Sequence, residues 1–311
     1  MRRTVTKVDL AQSVMAVPPL ALDKDGAFAD EANAKIIAHL EAGGVDTLLY
    51  GGNALLYHWP MSRYGDWLDR LEAMSGADSW LIPSVGADAG RLVDQAPILR
   101  ARGYPAALFL PAAGPTTPDG VVAALRRFYD ESGTQLIAYV KTDNAFTPDM
   151  LAALDKAGAL LGVKYAVPRE TPETDPLLTA FIDTIGADRI VSGFGEPPAV
   201  NHLLNFGVAA FTSGSVCIAP ALSMAILAAL KAGDKAETER LMAPIMPLER
   251  LRGEINEIRV LHTAVALAGI AETGDPLAFS SPVPEAEHDR IRTAARTLLD
   301  AEMARRSAVA A

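Results

Sequence analysis

Eight short apolar runs, separated by longer amphipathic segments, constrain this chain more than any other feature. They fall at residues 13–17, 47–50, 80–83, 107–110, 135–140, 160–165, 189–192 and 209–212. Unbroken apolar runs of this length read as strands buried on both faces, the usual state of strands in a parallel sheet. The segments between them carry helical periodicity. Residues 30–42 close on Gly43-Gly44, residues 88–102 close on Gly103, and a helix opening at Pro118-Asp119 runs to about residue 131 before Gly133. Thr147-Pro148-Asp149 pairs a capping residue with proline in the first turn, a helix-start signature. Doubly wound sheets usually have fewer strands than this, so eight β/α units point to a closed (β/α)8 barrel of the TIM type.

Beyond about residue 222 the strand pattern stops. Residues 224–231, 236–254, 257–268 and 285–303 all read as helices, and 304–311 as a frayed end. The expected organisation is a barrel over 1–222 and a helical region over 223–311 packed on it. No linker-like composition separates the two.

Composition excludes several function classes. A net charge of -10 without a basic cluster disfavours nucleic acid and anionic membrane surfaces as partners. The longest apolar stretches are broken by glycine, proline or charge, so no membrane span is expected. The N-terminal segment lacks the apolar run and small-residue cleavage site of a secretory signal. A single cysteine, Cys217, leaves no disulfide framework and no CxxC metal site. The expected setting is cytoplasmic.

Barrel enzymes work at the C-terminal ends of their strands, so polar residues there are the candidates. Lys164 lies in the otherwise apolar run 160–167. Desolvation disfavours an ammonium and frees an amine able to attack a carbonyl. A lysine snorkelling at the strand mouth or paired with a carboxylate fits the strand equally well. Tyr139 stands near the end of the preceding strand, where a phenol can pass protons or simply pack at the rim. Gly51-Gly52-Asn53-Ala54 follows the second strand and offers backbone N–H groups to an anion, or a tight βα turn. Gly193-Phe194-Gly195-Glu196 and Thr212-Ser213-Gly214-Ser215 follow late strands. The first of these is not a dinucleotide fingerprint, because its third glycine is missing and Pro197-Pro198 occupy the helix start. No histidine pair has ligand spacing, and no Gly-x-Ser-x-Gly elbow follows a strand, so neither a metal nor a serine hydrolase is expected. No cofactor is expected either.

With these motifs in order, the chain resembles the dihydrodipicolinate synthase and N-acetylneuraminate lyase family of class I aldolases, from about Met15 to Pro220. Met15-Ala16-Val17-Pro18-Pro19 resembles the family's first strand and exit. Gly44-Val45 fits before the second strand, and Tyr139 matches the strand-five tyrosine. Gly162-Val163-Lys164 matches the Gly-x-Lys of strand six, and residues 207–220 resemble the eighth strand and its turn. The resemblance implies an imine between Lys164 and the ketone of pyruvate or another 2-oxo acid, with Tyr139 as proton shuttle. It implies a homo-oligomer, a dimer or a tetramer built from dimers. It also implies substrate contacts at Glu196 and Ser213, as in the sugar-acid branch, beside Asn53, Ala54 and Gly193.

The departures are specific. Where the family has Gly-Thr-Thr-Gly-Glu, this chain has Gly52-Asn53-Ala54-Leu55-Leu56. The synthases' tyrosine after strand four is replaced by Ala112 and Ala113 behind Pro111, and their substrate-binding arginine has Asn144 as nearest counterpart. The expected function is therefore a Schiff-base lyase, aldolase or dehydratase, acting on a 2-oxo acid such as a 2-keto-3-deoxy sugar acid. The alternatives are 4-hydroxy-tetrahydrodipicolinate synthase of lysine biosynthesis and a weakly catalytic relative that binds a keto acid.

Overall fold

The computed structural model describes residues 1–112 and 114–310; Ala113 lies outside the described residues. Eight parallel strands close into a barrel in simple sequential order. They are β1 (Met15–Ala16), β2 (Thr47–Tyr50), β3 (Trp80–Val85), β4 (Ala106–Phe109), β5 (Gln135–Val140), β6 (Leu160–Tyr165), β7 (Ile190–Ser192) and β8 (Ala210–Ser213). Closure runs through β1, whose Met15 pairs with Thr47 on one side and Thr212 on the other. All eight apolar runs thus became strands, although the first shrinks to two residues and the third continues past Pro83 to Val85.

Each strand leads to a helix on the outside: α1 (Asp30–Ala42), α2 (Tyr64–Met74), α3 (Ala89–Arg102), α4 (Pro118–Ser132), α5 (Pro148–Lys156), α6 (Pro176–Ile185), α7 (Glu196–Phe206) and α8 (Pro220–Lys231). The capping signals act as their chemistry predicts. The Asp88, Thr117, Thr147 and Asp175 side chains accept from the Arg91, Gly120, Met150 and Leu178 backbone N–H groups. Gly103, Gly133 and Gly207 take the left-handed conformation that ends α3, α4 and α7.

Four further helices follow: α9 (Lys235–Met242), α10 (Met246–Glu254), α11 (Glu257–Leu267) and α12 (His288–Ala310). The single helix expected over 236–254 is two. Pro244 and Pro247 lack the amide hydrogen that a continuous helix needs, and a turn at 243–245 separates α9 from α10. The last helix runs through Ala310 where a frayed end was expected over 304–311, and Ala311 lies outside the described residues. It packs against α8, α10 and α11. Its fully buried Glu302 accepts from the Ala221 and Leu222 amides at 3.0 and 2.9 Å. A carboxylate thus satisfies the open N-terminus of α8 from 80 residues away. Among the described residues, no helix is long and apolar enough to cross a membrane.

Candidate active site

The strand ends open into a cavity of about 510 Å³. Lys164 and Tyr139 both line it, and they are direct register partners across β5 and β6. Partners in register share a face of the sheet, so the two side chains meet: the Lys164 Nζ lies 4.1 Å from the centre of the Tyr139 ring. Lys141, two residues after Tyr139 and just past the end of β5, has its Nζ 5.8 Å from the centre of the same ring.

The electrostatics follow from this packing. Lys164 is only 3% exposed. Burial pushes its amine down to about 7, helped by the positive charges of Lys141 and Arg252; Glu257 opposes the shift through space, without a hydrogen bond. Among the described residues no carboxylate forms an ion pair with Lys164. Tyr139 moves the other way: burial raises its phenol well above the usual range, so it keeps its proton at neutral pH.

Gly162, two residues before Lys164, has a steric reason to be glycine. A Cβ there would sit 2.6 Å from the Arg189 carbonyl oxygen and 2.9 Å from the Leu10 side chain. The absence of a side chain lets β6 and the segment entering β7 come close.

The loop after β2 presents Gly52 and Asn53 to the cavity. The Asn53 amide donates to the Val17 carbonyl at 2.9 Å, tying this loop to the exit of β1. Arg91 of α3 braces the loop from below, donating to the Leu56, Tyr57 and Trp59 carbonyls. Gly193 lines the opposite part of the wall, its N–H bound to the Tyr165 carbonyl at 2.6 Å.

Three residues expected at the substrate do not line the cavity. Ala54 is buried where the chain turns through Leu55, whose φ of 53° is left-handed. Glu196 and Ser213 are engaged with each other: Glu196 Oε1 accepts from the Ser213 hydroxyl at 2.6 Å and the Ser223 hydroxyl at 2.8 Å. Glu196 is fully buried and its Oε2 has no partner among the described residues. Burial and the neighbouring charge of Glu249 raise its carboxyl toward the neutral acid. Asn144 is exposed and also lies outside the cavity wall.

Other groups complete the wall. Arg169 donates to Asp175 at 2.9 Å and to Asp143 at 2.7 Å, and Tyr165 donates to the same Asp175 oxygen at 2.6 Å, fixing the loop after β6. His202 of α7 bonds the Ser192 hydroxyl at 2.8 Å. Glu249 and Arg252 of α10 and Glu257 of α11 close the mouth from the C-terminal helices. In sequence they look like ordinary charges on amphipathic helices, and nothing in their spacing singles them out.

No family model matches the chain. A curated relative, the probable 5-dehydro-4-deoxyglucarate dehydratase 2 of Streptomyces coelicolor, is 23% identical over 302 residues, covering 94% of this chain and 92% of its own. Among solved structures, a dihydrodipicolinate synthase from Agrobacterium tumefaciens superimposes with a TM-score of 0.83 at 20% identity, covering 94% of this chain and 99% of that one. A sialic acid aldolase from Ruminococcus gnavus, in a catalytic lysine mutant, gives a TM-score of 0.82 at 14% identity over 96% and 99%. The fold is that of the dihydrodipicolinate synthase and N-acetylneuraminate lyase family. The resemblance first seen in the strand motifs thus extends over nearly the whole chain, including the helices after β8. Dehydratase, synthase and aldolase are all represented among these relatives.

Proposed function

We propose that this protein is a class I lyase that forms an imine between Lys164 and the ketone of a 2-oxo acid. The observation that carries the reading is the pairing of a buried lysine, pushed down to about 7, with an uncharged phenol on the adjacent strand. The amine attacks the C2 carbonyl carbon. The carbinolamine then loses water, taking one proton from Tyr139, and leaves a Schiff base at Nζ. The imine accepts the electron pair released when a C–C bond breaks beyond C3, or when C3 loses a proton and hydroxide departs from the next carbon. Reprotonation and hydrolysis return the free amine. Tyr139 passes protons in both directions, and Asn53 with the Gly52 backbone is the proposed seat of the substrate's C1 carboxylate.

A 2-keto-3-deoxy sugar acid is the favoured substrate type. The Streptomyces relative carries a dehydratase name of that kind. The missing synthase residues at Ala112 and Asn144 count against condensation with aspartate semialdehyde. A homo-oligomeric, cytoplasmic enzyme belongs to the same reading, and light scattering on the purified chain tests the first part.

The test is imine trapping. Pyruvate with borohydride is expected to add a reduced adduct to Lys164, mapped by mass spectrometry. No adduct, under conditions where a sialic acid aldolase control reacts, overturns the lyase. An adduct without cleavage or dehydration of any 2-keto-3-deoxy acid favours the keto-acid-binding alternative, and robust condensation with aspartate semialdehyde favours the synthase.

A further inference from the structure

His202 of α7 has no part in the chemistry proposed for Lys164 and Tyr139, yet it lines the same cavity. It is only 3% exposed. Its Nδ1 lies 2.8 Å from the Ser192 hydroxyl, and its Nε2 has no partner among the described residues. The rings of Tyr165 and Phe206 stand edge-on to the imidazole, with centroids 5.8 and 6.3 Å away. Packing and hydrogen bond together hold the ring in one orientation, with Nε2 on the edge away from Ser192.

The same hydrogen bond fixes the tautomer. Ser192 is fully buried, and His202 is the only partner of its hydroxyl among the described residues. If Nδ1 carried the ring proton, the Ser192 O–H would be buried with nothing to accept it, which is costly. The hydroxyl therefore donates to Nδ1, and the ring proton sits on Nε2. Burial holds the imidazole below its ordinary value, against the through-space pull of Asp175, so the ring is neutral at pH 7. The outcome is a neutral N–H donor, fixed in direction and without an acceptor, in the cavity wall.

His202 stands on a different wall from Lys164. Ser192 is the register partner of Tyr165, the residue after Lys164, and successive residues of a strand face opposite sides of the sheet. Asn201, next to His202, donates to the Pro172 carbonyl and so joins α7 to the loop after β6; Pro172 and His202 both line the cavity. A substrate held at C2 by Lys164 therefore meets this wall with the far end of its chain. The wall does not favour an anion, because Arg169 is already paired with both Asp143 and Asp175. A neutral oxygen suits the unused N–H better. We propose that His202 is a specificity residue whose Nε2 donates to a hydroxyl on the distal carbons of a 2-oxo acid, so that a hydroxylated chain is preferred over its deoxy analogue. This rests on the imine reading for the placement of the near end.

The test compares 5-hydroxy- and 6-hydroxy-2-oxohexanoate with 2-oxohexanoate, which lacks only the hydroxyl, by calorimetry and by borohydride trapping. The wild-type chain is expected to bind at least one of the hydroxy acids about tenfold more tightly, the scale of one neutral hydrogen bond. His202→Phe should bring the ratio of affinities to one. Ser192→Ala, which lets the ring carry its proton on either nitrogen, should lower the ratio in part. Equal binding of all three acids by the wild type, or a preference that His202→Phe retains, overturns the proposal. Should the variants fail to fold, heteronuclear NMR of the wild-type imidazoles decides. One neutral ring protonated on Nε2 should shift that resonance with the preferred hydroxy acid and not with 2-oxohexanoate, and no such difference overturns the proposal. The two claims stay separable: a hydroxyl preference abolished in His202→Phe, without any adduct on Lys164, removes the imine and leaves the His202 contact standing.

Discussion

The mouths of β5–β6 and of β7–β8 solve the same problem in opposite ways. At β5–β6 the strands themselves supply the proposed working groups, and Tyr139 and Lys164 line the cavity from paired positions. At β7–β8 Thr212 lines the cavity, but Ser213 turns to Glu196 at the start of α7. Glu196, Ser213 and Ser223 form a closed, buried cluster, and the cavity wall is supplied instead by Glu249 and Arg252 from α10. Strand register therefore places the expected polar side chains in the cavity on one side of the barrel and misleads on the other. The difference teaches that a strand-end residue is only a candidate until its partners are known, because a hydroxyl two elements away can satisfy it.

The largest expected effect breaks the β5–β6 side. Lys164→Met should lower kcat/KM by on the order of 10³-fold or more, as loss of a covalent nucleophile does. In the wild type, kcat/KM should climb with pH and reach half its plateau at about 7, where the amine loses its proton. A plateau extending well below that value would count against Lys164 as the titrating group. The same shift has a stability sign. The folded-state value lies below that of a free lysine, so the buried ammonium costs stability at low pH, and the cost fades as pH rises from about 7 toward the ordinary lysine range. Lys164→Met should therefore melt higher than the wild type, with the largest gain in acid, as thermal scans across pH would show.

Tyr139→Phe comes next. It keeps the ring under Lys164 but removes the proton carrier, so turnover should fall by about 10²- to 10⁴-fold. The adduct on Lys164 should still form, only more slowly. Loss of the adduct altogether would mean that Tyr139 is needed to hold the lysine rather than to move protons.

The smallest effect is expected at the β7–β8 cluster and sharpens the contrast. Glu196→Gln keeps an acceptor for Ser213 and Ser223 and replaces a carboxyl that burial already drives toward its neutral form. Steady-state assays should show kcat/KM within roughly tenfold of wild type, the scale of a lost neutral contact. The raised carboxyl contributes stability below the ordinary carboxylate range that is lost as pH climbs through its folded value, so the glutamine variant should hold its melting temperature better above neutrality. A large loss of activity would return Glu196 to the substrate-contact role that the sequence suggested.

Much of the framework was legible because it rests on local physics. An apolar run of four to six residues has little choice but to be a buried strand, and a Thr-Pro-Asp start or a terminal glycine marks helix ends without help from the rest of the chain. Lys164 was visible because a charge inside such a run is anomalous. Pro244 and Pro247 were visible too, but the apolar periodicity over 236–254 masked the break they impose. Arg252 and Glu249 were not visible: in Met246–Glu254 they are charges on an amphipathic helix like any other. That Gly214 is where the Arg252 guanidinium packs was not visible either.

The sequence by itself determined the eight-stranded alternation, the helix boundaries set by caps and prolines, and the anomalous lysine, because each depends on neighbours a few residues away. Only the tertiary structure decided which polar groups face the cavity. That outcome depends on hydrogen bonds and burial between elements far apart in the chain, such as Ser223 reaching Glu196 and α10 carrying Arg252 onto Gly214.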